Sequence, residues 1–417
     1  MSHQSIGGHD TAVLRRLAER VAEIAADPAQ EERADLWLRT NRLERVRPPI
    51  NVHLEESCWP EVLPDADFET SHPEARMYET MLRRTIWEWE HLADDRLTEA
   101  VVEYPVAVHD SGIGVVARKV YAGGPTSACE YVPAVVDESD IDSIELPELT
   151  LDREQTERDR ELVERVFAGI LEPVPGPRYD VGRFDLIDRW SELRGIEQMY
   201  LDMVERPEWM HEALRRFTAC YVSRFRQLEE LGVLQLDSGA VECYVGGYAL
   251  TDQLPQPDFD GRHVRLRDLW GFNCAQPFVS VSPEMHEEFS LRYAREVLAL
   301  FGLTSLGCCE PLHDRLGYVT SVPNLRRISM NEWTDLELAA DVLGAGYVLS
   351  YKPTGRHVAL AAWDGEAVRK YLTEDLGKLA GCVAEVVQNA ISTCRGEPRR
   401  ITEWSRIARE VALESYK

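Results

Sequence analysis

The sequence contains no CxxC pair, no run of 18 uncharged apolar residues, no G-x-G-x-x-G after a candidate strand, and no repeat or low-complexity segment. Each absence removes a class of protein. Without CxxC a zinc ribbon is excluded, and without a long apolar run so is a membrane-spanning helix. Lacking the glycine fingerprint, the chain has no signature for dinucleotide binding at a strand-to-helix turn. Positive charge is also scarce: 46 Lys and Arg stand against 73 Asp and Glu, a formal net charge of −27. That field repels phosphate backbones and anionic lipid, so neither nucleic acid nor a membrane is an expected partner. It disfavours polyanionic ligands too, unless basic residues are concentrated in a pocket. Nine cysteines, an odd number in a chain of 417 residues without an apolar leader, argue against a disulfide framework. The expectation is a cytoplasmic enzyme with reduced thiols and a small-molecule substrate.

What is present is organised. Residues 10 to 100 read as helical, with Val13, Leu14, Leu17, Val21 and Ile24 on one face of the first helix. "RPPINVHLE" breaks this pattern as a candidate first strand near residue 50. From residue 155 the runs "VLQLDSG", "QPFVSVSP", "LTSLGCCE", "LRRISMN", "GYVLSYKP" and "AEVVQNAIST" alternate with helical stretches. That alternation predicts an α/β fold with a parallel sheet covered by helices, either doubly wound or a (β/α)8 barrel. In both, functional residues gather at the carboxyl ends of the strands.

The strand tails are polar. They offer Asp237, Glu242, Cys243 and Tyr244, then Gln276, then Cys309, Glu310 and His313, then Asn331 and Trp333, then Tyr351 and Lys352, and finally Cys394. A Cys and a His four residues apart share a helical face, so Cys309 and His313 are candidate metal ligands. Cys308 and Cys309 are adjacent, and on a strand their side chains would point to opposite sides. Glu310 is a candidate acid/base, because a carboxylate beside apolar walls exchanges protons near neutrality. Asp237 is a second acidic strand-end residue. Lys352 suits a substrate carboxylate, and Gln276 a substrate-orienting amide. Ser282 and Pro283 read as an N-cap and first helical residue.

Two long blocks carry a resemblance. "LIDRWSELRGIEQMYLDMVERPEWMHEALRRFTACYVSRFRQLEELGVLQLD" and "FGLTSLGCCEPLHDRLGYVTSVPNLRRISMNEWTDLELAADVLGAGYVLSYKP" resemble the uroporphyrinogen decarboxylase superfamily over residues 155–415. Within it, "SLGCCEPLHD", "SYKP" and a closing "IST…EPxRxxEWxxIA" are similar to a bacterial branch near the corrinoid and coenzyme-M methyltransferases. The resemblance implies a (β/α)8 TIM barrel, here residues 151–417, with a helical and β-rich extension over residues 1–150. The arginine motif "RQAGR" of the true decarboxylases has no counterpart in "RPPINVHLEESCWPEV". In the methyltransferases a His-x-Cys motif and a later cysteine hold zinc, which turns a thiol substrate into a nucleophilic thiolate. The match sets Cys309 on the motif's cysteine and Gly307 on its histidine, leaving His313 to supply nitrogen and Cys394 to stand as the later cysteine.

The resemblance thus implies zinc-dependent methyl transfer to or from a small molecule. Glu310, Asp237 and Lys352 would be catalytic; Glu242, Cys243, Tyr244, Gln276, Asn331, Trp333 and Tyr351 would line the substrate. The alternatives are a metal-independent decarboxylase of a small carboxylic acid, with Lys352 holding the carboxylate, and a non-catalytic binding module. No "DxHxxG" motif is present, so a corrinoid would arrive on a separate protein. A homodimer is expected by analogy with the superfamily.

Overall fold

The structure, a computed structural model, describes residues 6–123, 129–179, 181–243 and 246–416. Its contacts divide the chain into two compact units. The first takes residues 1–106, 153–177 and 350–417; the second takes residues 107–152 and 178–349.

In the first unit, the helix Gly8–Ala25 buries the face its spacing predicts, Val13, Leu14, Leu17, Val21 and Ile24. Of these, Val13, Leu14, Leu17 and Val21 pack in one cluster with Ala75, Tyr78 and Leu82 of the helix Pro73–His91 and Val163, Val166 and Phe167 of the helix Arg153–Phe167. Full burial of one such leucine stabilises by about 1.5–3 kcal/mol. Tyr78 meets Phe167 edge-on with ring centroids 5.4 Å apart, an arrangement the ring quadrupoles favour. The candidate first strand is real: β1 (Ile50–Leu54) pairs in parallel with β12 (Val383–Ile391), Ile50 opposite Val386. β2 (Val101–Pro105) pairs in parallel with β7 (Glu172–Gly176).

The second unit opens with two antiparallel pairs. β3 (Val108–Asp110) joins β6 (Leu149–Leu151), and β4 (Arg118–Tyr121) joins β5 (Cys129–Val132). Its sheet is parallel: β8 (Trp270–Asn273) lies beside β9 (Leu303–Leu306), and β9 beside β10 (Leu325–Met330). Every residue of β8 and β9 is buried, the polar Asn273, Thr304 and Ser305 included, as in sheets covered on both faces. β11 (Val348–Tyr351) spans the point in sequence where the second unit ends and the first resumes.

Two strand expectations are corrected. "QPFVSVSP" is not a strand: β8 lies earlier, at "WGFN", and Gln276–Ser280 forms a short 3-10 turn. Pro277 has no N–H to give a ladder, which disqualifies the segment from the interior of a sheet. "VLQLD" carries no strand either, since residues 233–237 are irregular. One flank of β8 is taken instead by the chain at Gly182–Phe184. There the Phe272 amide donates to the Gly182 carbonyl at 2.9 Å, and Arg183 bridges Phe272 in parallel. The Ser282 cap is as expected, its hydroxyl accepting from the Met285 amide at 3.2 Å.

That approach requires glycine at 182. A Cβ there would sit 2.1 Å from the Trp270 carbonyl oxygen and 3.0 Å from the Gly271 Cα. Both are backbone atoms, so the strands themselves would have to part. Gly182→Ala is expected to lower stability by roughly 1–3 kcal/mol, read as a lower denaturant midpoint with an unchanged slope.

Candidate functional site

The strand exits of the second unit bring thiols and carboxyls together. β9 stops at Leu306 and the chain turns at Gly307, where φ is +88° and a Cβ would meet Leu312 Cδ1 at 2.6 Å. Only glycine takes both the left-handed backbone and that contact without strain. Past the turn, Cys308 and Cys309 have left the strand, so the strand rule that sends neighbouring side chains apart no longer holds. Their sulfurs lie 3.4 Å from each other, which corrects the expected opposition. Cys308 is buried with Phe272 and Cys274, whereas Cys309 is exposed. Three side chains pin the turn. The Cys308 amide donates to Glu310 Oε2 at 3.0 Å, Ser329 Oγ donates to the Cys308 carbonyl at 2.8 Å, and Asn331 Nδ2 donates to the Cys309 carbonyl. Asn331 Oδ1 accepts from the Trp333 amide at 3.1 Å and from Thr334 Oγ1 at 2.9 Å. Asn331 therefore braces the two turns, and Trp333 stands 67 % exposed beside it.

Two carboxyls at this rim are held toward the protonated form. Glu310 is buried, and its Oε1 accepts from the Ala275 amide at 2.8 Å. Burial pushes its pKa up, against the lowering effect of the backbone amides. Asp188, on the helix Leu186–Arg194, is half-buried and accepts from the backbone amide of Gln276 at 3.1 Å and from its side-chain Nε2 at 2.8 Å. Burial raises its pKa first, and the charge of Asp185 adds to it. Asp185 is itself buried, holds a left-handed φ of +36° just before the helix, and pairs with Arg183. Cys274 Sγ donates to Asp185 Oδ1 at 3.5 Å and to Asp188 Oδ2 at 3.8 Å, and its burial keeps the thiol protonated. Gln276 is thus engaged with Asp188. Sequence reasoning missed Asp185 and Asp188. Their signal was "FDLID", two acids three apart across a helix start, directly after the short run that flanks β8.

The other expected residues scatter. Asp237 meets the first residue of β8, not a strand tail: its Oδ2 accepts from the Trp270 amide at 3.0 Å, while Oδ1 is buried without a partner among the described residues. Burial pushes its pKa up to about 8. It lines a small cavity together with Arg178, Arg183, Glu242, Cys243 and Ser305. Cys243 packs against Trp270 and Leu303 in an apolar cluster. Tyr244 lies outside the described residues. His313 is half-buried, and its Nδ1 is buried with no hydrogen-bond partner among the described residues. In the first unit, Tyr351 donates its hydroxyl to Asp375 at 2.6 Å, Lys352 is buried directly after β11, and the Cys394 thiol donates to Glu61 Oε2 at 3.3 Å. Among the described residues no group of three or more His, Cys, Asp and Glu side chains is gathered as a metal ion would require. Nor does any described helix have the length and apolarity to cross a membrane.

No protein-family model and no curated protein matches the chain. Among solved structures, a methyltransferase from Methanosarcina mazei is similar at a TM-score of 0.48 and 12% identity, over 91% of this chain and 98% of that one.

Two measurements check this geometry. Because the folded chain keeps on Asp237 a proton that the unfolded chain loses, stability should fall as pH rises from about 4 to about 8. Asp237→Asn should flatten that decline, followed by denaturant midpoints across the range. Two thiols at 3.4 Å should together take up one equivalent of phenylarsine oxide, releasing water. Mass spectrometry should show this uptake lost in both Cys308→Ser and Cys309→Ser.

Proposed function

We propose that the chain is a uroporphyrinogen decarboxylase-like barrel enzyme that transfers a methyl group to or from a small molecule, acting where β8 and β9 end. The observation that carries this reading is the conjunction of an exposed thiol, Cys309, with two carboxyls of raised pKa, Asp188 and Glu310, at the exits of two paired strands. Sites that move protons near neutral pH are built this way, with burial and like charge displacing ordinary carboxyl values. Methyl transfer to a thiol forms an S–C bond while the bond between the methyl group and its donor breaks, the pair of electrons leaving with the donor. The S–H proton must then pass to a base. We assign that role to Asp188: it is half-buried, oriented by two donors from Gln276, and weakened as an acid first by burial and then by the charge of Asp185. Glu310, with an amide on each oxygen, holds the rim in shape. The corrinoid-bearing donor protein of the resemblance fits the chain's role as one partner in a two-protein transfer.

The zinc implied by the resemblance would fall to Cys309 and His313. With no group of three donors gathered among the described residues, the set these residues form does not complete a tetrahedral site, and the proton path above does not depend on one.

The test is methyl transfer from methylcobalamin to a panel of small thiols, with and without added zinc, followed by loss of the methyl-cobalt absorbance and by mass spectrometry of the thioether. Native protein should form thioether, and Asp188→Asn should slow it about 10²-fold or more. Elemental analysis of native protein and Cys309→Ala reads the metal separately. Native protein that forms no thioether under either condition would sink the reading.

A further inference from the structure

Apart from the strand exits, the second unit holds a cleft of about 380 Å³. It lies within the size range of sites that enclose small organic ligands. One wall is the helix Leu186–Arg194, another the helix Pro207–Leu231, and the third the extended loop between β3 and β4. The loop is fixed in place. The Glu145 amide donates to the Ile113 carbonyl at 3.0 Å, and the Ser111 amide to the Glu148 carbonyl at 3.1 Å. Gly114, at φ +82°, passes so close to Ser143 that a Cβ would lie 2.3 Å from its carbonyl oxygen. The wall is therefore preformed rather than assembled on binding.

The chemistry of the lining runs against that of the chain. The sequence carries a net charge of −27, yet the charged side chains of this cleft are Lys119, Arg189 and Arg224 against Glu192 alone. Each arginine keeps donors in hand. Arg224 uses Nε on Asp110 at 2.6 Å, and Arg189 uses Nη1 on Glu192 at 2.9 and 3.0 Å. The remaining guanidinium N–H groups have no protein acceptor among the described residues, and their fork geometry matches a carboxylate. Around them the surface is aromatic and branched, with Phe217 and Tyr221 on the long helix and Val116 on the loop. Val116 is 82 % exposed, an apolar side chain left in water at the cleft's edge.

From this juxtaposition we propose that the cleft is a binding site for an aromatic carboxylate, the ring lying against Phe217 and Tyr221 and the carboxylate held by Arg189 and Arg224. The site stands independently of the transfer chemistry, and its test needs no activity. Isothermal titration calorimetry on the full chain would compare 3-phenylpropanoate with its neutral amide and with 3-phenylpropylamine. The acid should bind, more weakly as salt is raised, and the amide and amine should not. Arg224→Gln should weaken it by about tenfold or more. Val116→Asp, at a position exposed enough to leave folding alone, should weaken it comparably by placing an anion at the mouth. Absence of binding by the acid, equal binding of acid and amide, or indifference to Val116→Asp would each overturn the proposal.

Discussion

Glu310 is the side chain on which the strand exits depend. One carboxyl accepts the Ala275 amide just beyond β8 and the Cys308 amide just beyond β9, satisfying two backbone donors that the end of a parallel ladder leaves without partners. A buried donor left unpaired costs about 1–3 kcal/mol, so this residue replaces two such deficits with two bonds. The cost falls on the carboxyl itself, which burial pushes toward its protonated form. Its position fixes where Cys308 begins its turn, and hence where both thiols emerge.

Around that staple the rim sorts its acids by surroundings. Asp185 is buried against an arginine, Asp188 is half-buried and held by an amide side chain, and Glu310 is enclosed. Three carboxyls within one region would repel if all were ionised, and the raised values of Asp188 and Glu310 are the physical response first to desolvation and then to that crowding. The strongly negative surface makes the basic lining of the cleft between the helices Leu186–Arg194 and Pro207–Leu231 the more distinctive, because a field of one sign is reversed locally only where side chains are placed to do it.

Much of this was legible in the sequence. The face of the first helix, the strand before "GCCE", the strand near residue 50 and the Ser282 cap follow from periodicity and capping chemistry, which act within a few residues. What escaped is non-local. Asp185 and Asp188 acquire meaning only when the chain at Gly182–Phe184 lies along β8, an approach set by a missing Cβ rather than by any motif. The proximity of Cys308 and Cys309 depends on the strand ending one residue before the turn. Asp237 was read as a strand-end group because "VLQLD" looks like a strand; in the fold its carboxyl takes the Trp270 amide at the opposite end of β8.

The pairing of β1 with β12 has a consequence for how the chain is made. β1 emerges from the ribosome about 330 residues before its parallel partner. At ~5–20 residues per second, that leaves β1 unpaired for tens of seconds. Residues 107–152 and 178–349 meanwhile contain their own sheet and helices and can consolidate first. Over that interval the nascent protein carries a strand without its partner, an invitation to chaperones and to mispairing.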